Sequence, residues 1–116
     1  MWSSSRRSIA GRFRALRLPR FRRFVVSDES MVPTLQPGQG LIGLASSRAR
    51  PGQIRVVEHP HRPDFWLVKR VVSTDGGSMH LRSDNQDRPT VDSRQLGDLP
   101  IEGSYRVVVR VPVALM

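Results

Sequence analysis

The sequence contains no cysteine. That excludes a disulfide framework, a thiolate metal site and a cysteine nucleophile, and it leaves the redox compartment unmarked. Lysine is nearly absent too: Lys69 stands alone beside eighteen arginines. No stretch reaches the roughly 20 apolar residues a membrane-spanning helix needs. No apolar run follows the N-terminal arginines as a secretory signal would require. The expectation is a chain with neither a transmembrane helix nor a cleavable signal peptide, cytoplasmic or peripherally associated with a membrane.

What is present is a net charge of +9 over 116 residues, unevenly placed. Residues 1–24 hold eight arginines and no acid, which leaves eleven basic against ten acidic residues for the remainder. The excess charge therefore belongs to an N-terminal arm, taken as residues 1–23, and the domain as residues 24–116. Such an arm is either a solvated tail or a contact for a polyanion such as an anionic membrane surface. Ile9, Phe13 and Leu16 recur at helical spacing within Ser8–Leu18, so a short interfacial helix ending at Pro19 is one reading. No specific nucleic-acid contact is expected.

Beyond Phe24, short apolar runs alternate with Gly, Pro and Asp, which is a β pattern. Strands are expected over Phe24–Ser27, Gly40–Leu44, Ile54–Glu58, Phe65–Ser73, Met79–Arg82 and Tyr105–Val111. Asp75-Gly76-Gly77 is expected to close a hairpin. The polar stretch Asp84–Gly103 reads as one long surface loop. Helix is expected only in Ser30–Leu35 or in the arm. The fold class is mainly β: a small, curled antiparallel sheet or a partly open barrel.

Two residues stand out as chemistry. Ser30 follows a short strand, where a turn can expose its hydroxyl and aim backbone N–H groups at an oxyanion; a serine there equally fits a helix N-cap. Lys69 lies in the most apolar strand, in a chain that otherwise uses arginine for positive charge. Arginine does not shed its proton in a protein, whereas a buried lysine can. A general base must do so near neutral pH. The alternative is a lysine whose ammonium reaches solvent from an edge strand. The stretch from Ser83-Asp84-Asn85 to Asp92-Ser93-Arg94 carries the side chains that tie loops together. His59, His61 and His80 form no metal-binding spacing, and nothing in the sequence calls for a cofactor or metal.

In order, these segments resemble the type I signal peptidase family of Ser–Lys serine peptidases. Ser30-Met31-Val32-Pro33-Thr34-Leu35 with Pro37-Gly38 resembles the family's nucleophile box. Pro51-Gly52-Gln53-Ile54-Arg55-Val56-Val57 resembles the strand that follows, and Lys69-Arg70-Val71-Val72 the lysine box. Ser83-Asp84-Asn85 and Asp92-Ser93-Arg94-Gln95-Leu96-Gly97 resemble its closing box. The resemblance covers most of residues 25–111 and implies a fold of the signal peptidase–LexA type. It implies Ser30 as nucleophile, Lys69 as general base, and a peptide substrate bound as an extended strand with small side chains near the cut. It also implies Thr90 as a hydroxyl orienting the lysine, and Asp84, Asn85, Asp92 and Arg94 as supports of the loop. The chain resembles the small, anchorless members of actinobacterial type, including maturation proteases that trim the N-terminal extension of nickel superoxide dismutase.

The chain departs from that pattern at several positions. Asp28 stands where the family often has a hydroxyl for the oxyanion hole, so it is expected either to point away or to leave that donor missing. Glu29 replaces a frequent Gly, Gln39 and Gln53 replace Asp, and Ser83 replaces the Gly of the closing box. Two other readings compete: a LexA-type domain that cleaves itself, for which Ala10-Gly11 is a candidate bond, and a catalytically weak binding module whose arm holds membrane or nucleic acid.

Overall fold

The computed structural model describes residues 20–116. The expected arm helix over Ser8–Leu18 and the Ala10-Gly11 bond lie outside the described residues. Seven strands follow in chain order: β1 Phe21–Val25, β2 Gly40–Ala45, β3 Ile54–Glu58, β4 Trp66–Asp75, β5 Ser78–Arg82, β6 Leu99–Pro100 and β7 Tyr105–Val111. One four-residue helix, α1, covers Ser93–Leu96, and a 3-10 turn covers Val113–Leu115. The strands form one antiparallel sheet in the order β1-β2-β7-β3-β4-β5-β6. Its end strands β1 and β6 do not pair with each other, so the sheet is curled rather than closed into a barrel.

Three expectations are corrected. The first strand was expected over Phe24–Ser27 but begins at Phe21, so the last arginines of the expected arm, Arg22 and Arg23, are strand residues paired to Gly43 and Ile42. The stretch 84–103 is not one loop, because α1 and β6 lie within it. Helix does not form over Ser30–Leu35, which makes a run of turns with a single helical bond from the Leu35 N–H to the Met31 carbonyl.

The helix α1 follows from local chemistry. Asp92 accepts the Arg94 N–H, the Gln95 side chain accepts the Asp92 N–H, and this capping box satisfies donors that would otherwise be orphaned. The β4–β5 hairpin closes through Gly76-Gly77 between paired Asp75 and Ser78, and Gly76 takes the positive φ of +61° that such a turn demands.

Ile54–Val57 is buried throughout, because both faces of the central sheet are covered. One face packs Val26, Met31, Leu35, Leu41, Ile54, Val56 and Tyr105, with Phe24, Trp66 and Val68 against them. The other packs Val57, Leu67, Val71, Met79, Leu81, Leu99 and Ile101. β1 and β4 are not neighbours in the sheet, yet the rings of Phe24 and Trp66 lie 5.5 Å apart and both approach Tyr105. The curl thus brings these two strands face to face across a groove. Gly43 permits this packing, since a Cβ there would come within 2.7 Å of the Tyr105 Cβ.

Candidate active site

Ser30 opens the turn after β1, and Lys69 lies near the middle of β4 on the face shared with Leu67 and Val71. Both side chains are buried, at 3% and 2% exposure, and both line one cleft of about 560 Å³ together with Asp28, Glu29 and Thr90. A second groove also reaches Ser30 and Lys69 and runs between β1 and the first half of β4, past Phe24, Val26, Trp66 and Val68.

The lysine amine donates to Ser83 Oγ at 3.0 Å, and that oxygen lies 2.5 Å from Thr90 Oγ1. The hydroxyl expected to orient Lys69 was Thr90. Ser83 stands between them; in the sequence it belongs to the loop-tying Ser83-Asp84-Asn85 stretch and departs from the family's glycine, and neither signal assigns it to the lysine. Burial pushes the Lys69 amine below its ordinary range, while the negative charges of Asp28 and Asp92 raise it and Arg94 lowers it. The net shift is downward, toward a neutral amine.

The turn carrying Ser30 is clamped by the Ser83-Asp84-Asn85 segment. The Asn85 N–H donates to the Ser30 carbonyl at 2.8 Å and the Asn85 side chain to the Glu29 carbonyl at 2.9 Å. Thr34 Oγ1 donates to Asp84 at 2.6 Å, and Arg70 grips the same carboxylate with two bonds of 2.8 and 2.7 Å. Those Arg70 bonds hold the Asp84 carboxyl below the usual carboxylate range.

Asp92, 1% exposed, accepts the Ser83 N–H at 3.0 Å and is bracketed by the Arg94 guanidinium. Burial pushes this carboxyl up, but the bonds from Arg94 and from the backbone outweigh it and hold it at about 2. The structure therefore brings together Ser30, Lys69, Asp28, Thr90, Asp84, Asn85, Asp92 and Arg94, from four separate stretches of chain.

Asp28 does not point away. Its carboxylate accepts the Ser30 backbone N–H at 3.0 Å, the donor an oxyanion would need. Of the two outcomes expected for Asp28, pointing away is not the one found: the carboxylate faces the Ser30 N–H, and the side-chain hydroxyl donor is missing from this position.

A small, curled β-sheet with a serine and a depressed lysine in one cleft defines a candidate serine peptidase. A family model described as Peptidase S24-like matches residues 22–106, and the chain belongs to that family. No curated protein matches the chain. Among the described residues, no helix is long and apolar enough to cross a membrane.

Proposed function

We propose that this protein is a serine endopeptidase of the type I signal peptidase kind, with Ser30 as nucleophile and Lys69 as general base, removing an N-terminal extension from a precursor protein. The observation that carries this reading is the buried Lys69 amine, shifted toward its neutral form and lining the same cleft as Ser30. Neutral Lys69 accepts the hydroxyl proton as Ser30 Oγ attacks the scissile carbonyl. The resulting ammonium passes that proton to the leaving amine, and an acyl-enzyme remains. Lys69, neutral again, then takes a proton from water as its oxygen attacks the acyl carbon, and returns that proton to Ser30 Oγ as the ester bond breaks and the new carboxyl terminus leaves.

No hydrogen bond joins Ser30 Oγ to Lys69 Nζ before substrate arrives, which is common where catalytic bonds tighten only in the complex. The groove between β1 and β4 supports a substrate bound as an extended strand. Among the described residues β1 pairs on one side only, and the β4 stretch before Arg70 pairs with β3 but not with β5. Both strands thus offer unpaired backbone groups to a peptide laid between them.

The test is mass spectrometry of precursor peptides with small residues at the cut, including the N-terminal extension of nickel superoxide dismutase, incubated with the protein and with Ser30→Ala. Cleavage by the parent alone is the expected result. Equal cleavage by both would remove Ser30 from the mechanism. The S24-like family match favours one second reading, LexA-type self-cleavage. A shortening of the intact mass of the parent, absent in Ser30→Ala, would select it.

A further inference from the structure

Two grooves meet at Ser30 and Lys69, and they differ in chemistry. One is walled by Phe24, Val26, Trp66 and Val68, with the carboxylates Asp28 and Asp64 also in its lining. The other leads past His59 and two arginines, Arg62 and Arg88. It too is lined by two carboxylates, Asp28 and Glu29. Neither meets Arg62: Asp28 accepts the Ser30 N–H, and Glu29 is paired with Arg88. Among the described residues Arg62 joins no salt bridge.

Arg62 is nonetheless held in place. Its guanidinium lies over the Phe65 ring at 4.0 Å from the centroid, its N–H donates to the His59 carbonyl, and its carbonyl accepts the Phe65 N–H. Phe65 lines both grooves, so this stacking fixes the cation beside the junction where Ser30 and Lys69 lie. A guanidinium stacked on a ring keeps its in-plane N–H donors free for a carboxylate.

Resting on the Ser30–Lys69 reading, we propose that Arg62 is a specificity-determining residue, and that the substrate presents an Asp or Glu side chain to it on the side of the scissile bond away from the Phe24–Trp66 groove. That groove takes the other half of the peptide. A glutamate or aspartate on that half finds two carboxylates in the lining, Asp28 and Asp64, and no arginine.

The experiment uses fluorescent peptides with an alanine cut site, an apolar half, and one position on the other half varied among Asp, Asn and Lys. Cleavage is measured with the parent, and binding with Ser30→Ala. The parent is expected to prefer Asp to Lys at one position by about tenfold in kcat/KM, with the preference shrinking at high salt, as befits a solvent-facing charge pair. Arg62→Ala levels the series. Arg62→Glu inverts it, so that the Lys peptide becomes the better substrate and the tighter ligand. An unchanged preference in Arg62→Glu, or no preference for Asp in the parent by either readout, overturns the proposal. A loss of Ser30 dependence in the cleavage would instead strike the catalytic reading, and the binding series on Ser30→Ala still decides the role of Arg62.

Discussion

The Asp28 carboxylate and the Ser30 backbone N–H are joined by a hydrogen bond of 3.0 Å. An acyl-transfer oxyanion needs that N–H, and a carboxylate beside it adds repulsion. Asp28 also raises the Lys69 amine toward its charged form. Asp28 therefore restrains both halves of the proposed chemistry. The expected outcome for Asp28→Ser is a rise in kcat/KM on the order of tenfold, because the donor is released and a hydroxyl replaces the charge. Asp28→Asn is expected to move the acidic limb of the pH–rate profile to lower pH, since loss of the negative charge favours neutral Lys69. A profile unmoved in Asp28→Asn would show that the carboxylate does not act on the lysine.

Replacing Lys69 by arginine keeps the charge and removes the ability to lose a proton. Lys69→Arg is expected to lower kcat/KM by about a hundredfold or more, the scale of general-base catalysis. Circular dichroism and a urea midpoint would establish that the variant is folded. Cleavage at the parent rate would sink the dyad.

In the proposed reaction Ser83 acts through Lys69, as a positioning residue. Its hydroxyl accepts from the amine at 3.0 Å and contacts Thr90. Ser83→Ala removes one buried hydrogen bond, roughly 1 kcal/mol, so the plateau kcat is expected to fall about fivefold with KM unchanged. The bond favours the charged amine, so its loss also shifts the acidic limb downward in pH. A fall in stability with no change in the pH profile would make Ser83 a purely structural residue.

Asp92 links the backbone of Ser83, beside the Lys69 amine, to acid stability. Its folded value of about 2 lies below the ordinary 3.8. A depressed carboxyl contributes its stability fully above the unfolded value and loses it as pH falls through the folded one, here between about pH 4 and pH 2. The amount is roughly 2 kcal/mol. Urea midpoints of the parent are expected to drop across that window. Asp92→Asn should lose the drop and be less stable at pH 7, because the Arg94 guanidinium and the cap of α1 are left without their carboxylate.

Much of the fold was legible along the chain. Ile54–Glu58 and Tyr105–Val111 are strands at the expected bounds, since β-branched runs between turn residues carry their own signal. The start of β1 was obscured because Phe21-Arg22-Arg23 resembles a charged tail. Arg22 is held there by stacking on Trp66, 4.7 Å from the ring centroid, a contact made across the curl of the sheet. The helix α1 was missed although Asp92 and Gln95 spell a capping box, because four residues give no hydrophobic period to read.

By itself the sequence determined the β class, the chemical suitability of Ser30 and Lys69, and the segments that brace them, because propensity, turn chemistry and the ability to lose a proton belong to single residues and their neighbours. Only the tertiary structure decided what those residues face. It placed Ser83 on the lysine amine, Asp28 on the Ser30 N–H, and Arg62 along the cleft with no salt bridge among the described residues. Those relationships depend on how a curled sheet brings β1, β4 and the 83–92 segment to one junction, and distances between segments so far apart in the chain are fixed by packing rather than by local order.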